Sequence, residues 1–576
     1  MNPAEKQRPG RVVIENIRPE LDGGRFPVKR VIGDAVIIEA DIFADGHDSL
    51  RGVLRYRHDS EAGWKETPLK PLDNDRWQGS FCAERLGLYR YCFEAWVGST
   101  RLVSTKSDEY PVSVDREKAV FSSWYEVFPR SCSAQPGRHG TFKDLEARLP
   151  YMAQMGFDVL YLPPIHPIAR SMRKGKNNTL EATAGEPGSP WAIGAKEGGH
   201  KAVHPELGTL SDFQHLVKKA ADSGMEVAVD IAFQCSPDHP YVREHPEWFK
   251  HRPDGTIQYA ENPPKKYEDI YPFDFESKQW KALWEELKSI FLFWAGQGVR
   301  IFRVDNPHTK PFEFWEWVIH QVQAKYPDAI FLSEAFTRPK IMMRLAKIGF
   351  TQSYSYFTWR NSKWELTDYF RELTESPVRD YFRPNLWPNT PDILTDTLQK
   401  GGRSAFAARA VLAGTLGASW GIYGPAFELG ESLPREPGSE EYLNSEKYEI
   451  KAWNWDRADS LRELIAGINR ARKENQALQR NDRLLFHSIN NDALIAYSKL
   501  SADGKNRVLV VVNLDPYRKQ SGSVTLDLPA LGIDLSRPYR LCDRLSNADY
   551  SWTGPSNYVE LDPAVSAAHL FVVTQE

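Results

Sequence analysis

Eight short runs of β-branched and aromatic residues, separated by stretches with helical periodicity, fill the middle of the chain from about Ala119 onward. The runs fall at 124–128, 159–162, 226–232, 299–304, 330–333, 352–356, a short one near Leu386, and 418–423. Strands that alternate with helices form a parallel sheet covered on both faces, and eight such units predict a (β/α)8 barrel with its chemistry on the loops after the strands. The helix ends are readable. Thr209 with Asp212 has the spacing of a capping pair, Phe213, Leu216, Val217 and Ala220 form an apolar stripe, and Gly224 stops it. Leu283, Leu287, Ile290, Phe291 and Trp294 make a second stripe, followed by Gly296 and Gly298.

The flanks follow a different rhythm. Short alternating strands with turn signals run from Gly10 to about Val114, and in 88–96 the residues Tyr89, Tyr91, Phe93 and Ala95 share one face. Period-two alternation returns from about Leu484, with an Asp503-Gly504 turn between two apolar runs. A chain of 576 residues is too long for one core. The expected division is an N-terminal β-sandwich over 1–115, the barrel over 116–483 with inserts at 166–204 and 234–275, and a C-terminal β-sandwich over 484–576. Long loops rich in Trp, Tyr and Pro read as ordered and functional.

Charge narrows the partners. Lys and Arg total 73 against 77 Asp and Glu, a net charge of −4, so no global field calls for nucleic acid or an anionic membrane. Eighteen Trp, 24 Tyr and 28 Phe suit sugar stacking as well as large cores. Five scattered cysteines form no C-x-x-C pair, and the N-terminus lacks an apolar leader, which together predict a soluble cytoplasmic protein. There is no H-E-x-x-H, Walker or dinucleotide signature, and neither a metal nor another cofactor is expected.

The chemistry concentrates between Gly298 and His308. There an apolar run ends in Arg303 and Asp305, the pattern of a buried parallel strand opening into a site. With a period of two both side chains leave on one side, so the guanidinium lies beside the carboxylate and keeps it ionised, as a nucleophile must be. The run at 329–335 has the same shape and delivers Glu334 after a helical stretch over about 312–325. Either residue alone reads equally well as a structural charge; the pair on consecutive β-units reads as a site.

With Asp392 in Asn389-Thr-Pro-Asp392, these residues put three carboxylates at one end of the barrel, an order that resembles the α-amylase superfamily. The superfamily's first region corresponds to Asp230-Ile-Ala-Phe-Gln-Cys235, with Gln234-Cys235 where amylases have Asn-His; Thr390-Pro391 likewise stands where a single His is usual. Trp124-Tyr-Glu-Val-Phe-Pro-Arg130, Arg173-Lys-Gly-Lys-Asn-Asn-Thr-Leu180, Glu261-Asn-Pro-Pro-Lys-Lys-Tyr267 and Arg303-Val-Asp-Asn-Pro-His-Thr-Lys310 resemble the bacterial α-1,4-glucan:maltose-1-phosphate maltosyltransferases. The resemblance runs from about Gly10 to the C-terminus. It departs at one place: the helical bundle that members carry in the N-terminal region is missing, and Asp115 passes almost directly to Phe121.

What the resemblance implies is a retaining transferase that moves maltosyl units from α-maltose 1-phosphate, or another sugar 1-phosphate such as glucose 1-phosphate, to an α-1,4-glucan acceptor. Asp305 is the implied nucleophile, Glu334 the acid and base, and Asp392 the residue that binds sugar hydroxyls and stabilises the distorted ring. Asn262, Lys265, Tyr267 and Asn306 match the family's phosphate contacts. Lys174, Gln234, Asp269, Lys447 and Tyr448 match its donor-sugar contacts, and Arg303 flanks the nucleophile. A homodimer is among the implied partners, and a phosphate-independent glucan hydrolase or transglycosylase is the alternative activity.

Overall fold

A computed structural model describes residues 11–262, 265–375 and 377–575. Its centre is the expected barrel. The parallel strands are Ser122–Glu126, Val159–Leu162, Glu226–Ile231, Ile301–Asp305, Ile330–Glu334, Gln352–Ser353, Asn385–Leu386 and Ser419–Tyr423, hydrogen-bonded in chain order. The eighth pairs with the first, and a parallel bridge between Ser353 and Pro384 joins the sixth to the seventh and closes the ring. Trp124, Tyr161, Ala228, Ile301, Leu332, Tyr354 and Trp387 cluster within the barrel as one buried group. Bulky side chains fill such an interior, so a site can form only above them, at the C-terminal rim.

The sixth strand is shorter than its apolar run. It ends at Ser353, and Ser355 then caps a 3-10 turn over Tyr356–Trp359 by accepting from the Phe357 N–H. That side-chain bond offers the backbone an alternative to the ladder. Elsewhere the sequence signals hold. Thr209 and Asp212 form a reciprocal capping box on the helix Leu210–Asp222, and Gly224 takes a positive φ of 77° just beyond its end.

Both flanks are antiparallel, as alternation demands, apart from one parallel pairing of Val28–Val31 with Tyr110–Asp115. On the N-terminal side, a four-stranded sheet built on Ala35–Ala44 packs with a second sheet built on Gly87–Val97, where Tyr89, Tyr91, Phe93 and Ala95 are all buried. Buried Lys29 reaches from this unit to the barrel, donating to the carbonyls of Ala346 (2.8 Å) and Phe350 at a helix end. Tyr110–Asp115 is followed by a single turn, Glu117–Ala119, and then by the first barrel strand. The C-terminal unit is an eight-stranded path folded on itself around Leu484–Ile489, with its own apolar cluster. Among the described residues, no helix is long and apolar enough to cross a membrane.

Candidate active site

The strand Ile301–Asp305 is buried along its whole length. Arg303 and Asp305 project to the same side, and Arg303 Nη1 donates to Asp305 Oδ1 at 2.8 Å. The same nitrogen donates to Asp230 Oδ2 on the preceding strand at 2.8 Å, and Nη2 lies 3.4 Å from Glu334 Oε1 on the following one. One guanidinium therefore faces three carboxyls on three consecutive strands. Tyr161 OH also donates to Asp230 Oδ2, at 2.6 Å.

Three acids share one directly paired guanidinium in a region shielded from water. Burial pushes the Asp230 carboxyl up to about 7; Arg303 opposes the shift and the neighbouring Asp305 charge adds to it. Glu334 is pushed up to about 7 by burial first, again opposed by Arg303 and reinforced by Asp305. An acid in that range can give and take a proton near neutrality. Asp305 and Glu334 are register partners on adjacent strands. Parallel strands run about 4.8 Å apart, close to the carboxyl separation of about 5–5.5 Å that retaining glycosidases use.

Asn306 joins the pair. It adopts the left-handed conformation (φ 42°, ψ 53°), from which its backbone N–H donates to Glu334 Oε2 at 3.2 Å and its Nδ2 to Asp305 Oδ2 at 3.3 Å.

The rim is wired differently. Asp392 follows the seventh strand, and Lys447 Nζ donates to its Oδ1 at 2.6 Å. Asp392 holds the Lys447 ammonium well above the ordinary lysine range, although burial works against it. The same ammonium lies 5.0 Å from the Trp191 ring centre, and Gln234 Nε2 donates to the Trp191 carbonyl at 3.1 Å. Tyr267 and Tyr448 lie within electrostatic reach of Lys447. Tyr448 is in turn within reach of Asp269, whose carboxyl is raised by burial and lowered by Lys174. Lys174, itself buried, donates to Glu268 Oε2 at 2.6 Å.

Buried Arg130 fixes two loops to each other, donating to the carbonyls of Gly188 (2.8 Å) and Glu446 (2.7 Å) and so seating Lys447 beside the insert. Asn262 and Lys265 are register partners in a hairpin between Ala260–Asn262 and Lys265–Tyr267. Their side chains lie outside the described residues.

The structure thus gathers Asp305, Glu334, Arg303 and Asn306 at the barrel end. It links Asp392, Lys447, Tyr448, Tyr267, Asp269, Lys174 and Gln234 along the rim. Sequence reasoning assigned no role to Lys310, whose Nζ contacts the turn after Asp305, or to Tyr161, whose inward position on a strand of period two was the available signal. Among the described residues two His clusters have the make-up of a metal site, but the buried one is satisfied without it. His239 Nδ1 accepts from the Tyr241 N–H, so its Nε2–H faces His200 Nδ1 at 3.0 Å, and His200 Nε2 donates to the Ala232 carbonyl at 2.9 Å.

A closed parallel barrel with an arginine shared among three carboxyls on consecutive strands defines an α-amylase-type barrel. The catalytic-domain family described as "Alpha amylase, catalytic domain" matches residues 126–310. Among solved structures, an α-amylase from Lactobacillus plantarum aligns over 80% of this chain and 100% of its own, with a TM-score of 0.60 at 20% identity. A noncanonic maltogenic α-amylase from Thermotoga neapolitana also aligns at 0.60 and 20%, over 80% and 99% of the two chains.

The flanks are more particular. Residues 10–102 match "Alpha-1,4-glucan:maltose-1-phosphate maltosyltransferase, domain N/S", and 486–573 match "GLGE, C-terminal". A relative named α-1,4-glucan:maltose-1-phosphate maltosyltransferase from Methylacidiphilum infernorum is 49% identical over 98% of this chain and 96% of its own. One from Chlorobaculum tepidum is 47% identical over 98% and 96%. The chain belongs to the α-1,4-glucan:maltose-1-phosphate maltosyltransferase family. The first alignment extends over 643 positions, more than the 576 residues of this chain, so that relative carries residues with no counterpart here.

Proposed function

We propose that this chain transfers maltosyl units from α-maltose 1-phosphate to the non-reducing end of an α-1,4-glucan, through a covalent ester on Asp305. In the first half-reaction the Asp305 carboxylate attacks the anomeric carbon. The bond from that carbon to the phosphate oxygen breaks, and phosphate leaves with the electron pair and a proton from Glu334. In the second, Glu334 takes the proton of the acceptor's 4-hydroxyl, whose oxygen attacks the same carbon and releases Asp305. Two displacements restore the α configuration. The single observation that carries this reading is the pairing of Asp305 and Glu334 as register partners under one guanidinium.

Asp392 is the residue for sugar hydroxyls and the distorted ring, with Lys174, Gln234, Asp269, Lys447 and Tyr448 around the donor. Asn262, Lys265, Tyr267 and Asn306 are the proposed phosphate contacts, since a departing phosphate needs cations and N–H donors. The inserts at 166–204 and 234–275 would keep water from the ester while the acceptor enters. Domain limits at 115/116 and 483/484 and a homodimer belong to the same proposal. The test is a donor screen. α-Maltose 1-phosphate with a maltooligosaccharide should release phosphate and lengthen the acceptor by two glucosyl units. Growth by one from glucose 1-phosphate, or reducing sugar freed without phosphate release, would replace this reading.

A further inference from the structure

The turn after the nucleophile is held from behind. Asn306 sits in a left-handed conformation that costs an L-residue free energy and persists only where its surroundings enforce it. Three donors converge on its carbonyl: the Thr309 N–H at 3.2 Å, Thr309 Oγ1 at 2.8 Å and Lys310 Nζ at 3.2 Å. The Lys310 ammonium also meets Thr309 Oγ1 at 3.1 Å and the Asp305 carbonyl at 3.5 Å.

That last contact has a geometric effect. The Asp305 carbonyl and the Asn306 N–H belong to one planar trans peptide, so they point in opposite directions. A cation holding the oxygen on one side aims the N–H on the other, and that N–H is the one donating to Glu334 Oε2 at 3.2 Å.

We propose that Lys310 is a positioning residue: it clamps the Asp305–Asn306 peptide and thereby holds the nucleophile and the acid in one frame. This rests on the reading of Asp305 and Glu334 as the reacting pair. The charge has a second effect. Lys310 faces Asp305, Glu334, Asp230, Arg303 and His308, while Glu334 faces Arg303, Asp305, Asp392 and the Asn306 N–H. Removing the ammonium takes away a cation that favours ionised Glu334, so the acid should hold its proton to higher pH.

The test measures phosphate release against donor concentration and pH for Lys310→Met and Thr309→Val, with melting curves for both. Thr309 is exposed, so its loss should leave folding intact. We expect kcat about thirty-fold lower for Lys310→Met, the scale of a small misplacement of reacting groups. The donor KM should stay within about twofold, and the alkaline limb should move up in pH. Thr309→Val should lower kcat a few-fold, in roughly the same pattern. Wild-type kcat in both variants, or a loss that tracks only the melting temperature with an unmoved pH profile, overturns the clamp. Should Lys310→Met fail to fold, an unaltered kcat in Thr309→Val overturns it alone. Asp305→Ala separates the two failures: activity there sinks the assignment of the pair, whereas an inactive Asp305→Ala beside a normal Lys310→Met sinks only the clamp.

Discussion

The floor and the rim of the site manage charge in opposite ways. On the floor, Arg303 is shared by Asp230, Asp305 and Glu334, and the surplus of acid leaves at least one carboxyl holding its proton near neutrality. At the rim, Asp392 pairs with Lys447 and Lys174 with Glu268, each at 2.6 Å. An unbalanced, buried cluster is suited to moving protons and forming bonds. Matched pairs are suited to exchanging one partner for a hydroxyl or a phosphate oxygen without leaving a bare charge behind. Mutations on the floor should therefore act on kcat, and mutations at the rim on KM.

The largest expected effect is that of Asp305→Ala, which should lower donor turnover by on the order of 10⁴-fold or more in a phosphate-release assay. Wild-type turnover would erase the distinction altogether. Arg303→Lys comes next, on the order of 10²-fold in kcat, because a lysine cannot present a fork to three carboxyls. Nearly unchanged kcat with a raised KM would move Arg303 to the rim class. Glu334→Gln should lose roughly 10²-fold in kcat for the phosphate donor. It should also lose the alkaline limb: a raised carboxyl is protonated, and active as an acid, below its shifted value near 7 and ionised above it. A limb that survives in Glu334→Gln belongs to another group. Lys447→Met should be mildest, raising the donor KM by about tenfold with kcat within about threefold, since the partly exposed Asp392 can still be hydrated. A kcat collapse there would show that floor and rim are one unit.

The floor was the more legible of the two from sequence. A period of two within one strand places Arg303 beside Asp305 without knowledge of any other strand. The same local arithmetic placed eight barrel strands, and it placed the helix at 312–325, which the structure gives as Phe312–Lys325. Contacts between strands are another matter. That Arg303 also reaches Asp230 depends on the pairing of Asp230 with Arg303 across the third and fourth strands, and register is a property of the closed barrel. The sixth strand was overestimated because its aromatic run continues past the point where Ser355 turns the backbone. The rim could be reached only through family resemblance: its residues come from loops without periodicity, where a lone lysine says little. Lys310 escaped because its role runs through backbone carbonyls, which have no letter in a sequence.

Partner positions on neighbouring strands make the barrel's hydrogen-bonded ladder the ruler that sets the gap between Asp305 and Glu334. Sliding the strand Ile301–Asp305 by one residue would turn its carboxyl outward into the helical layer and put an apolar side chain in its place at the barrel end. Loops above the barrel can be recut for new donors or acceptors, but the stereochemical outcome is tied to the architecture and should outlast changes of substrate.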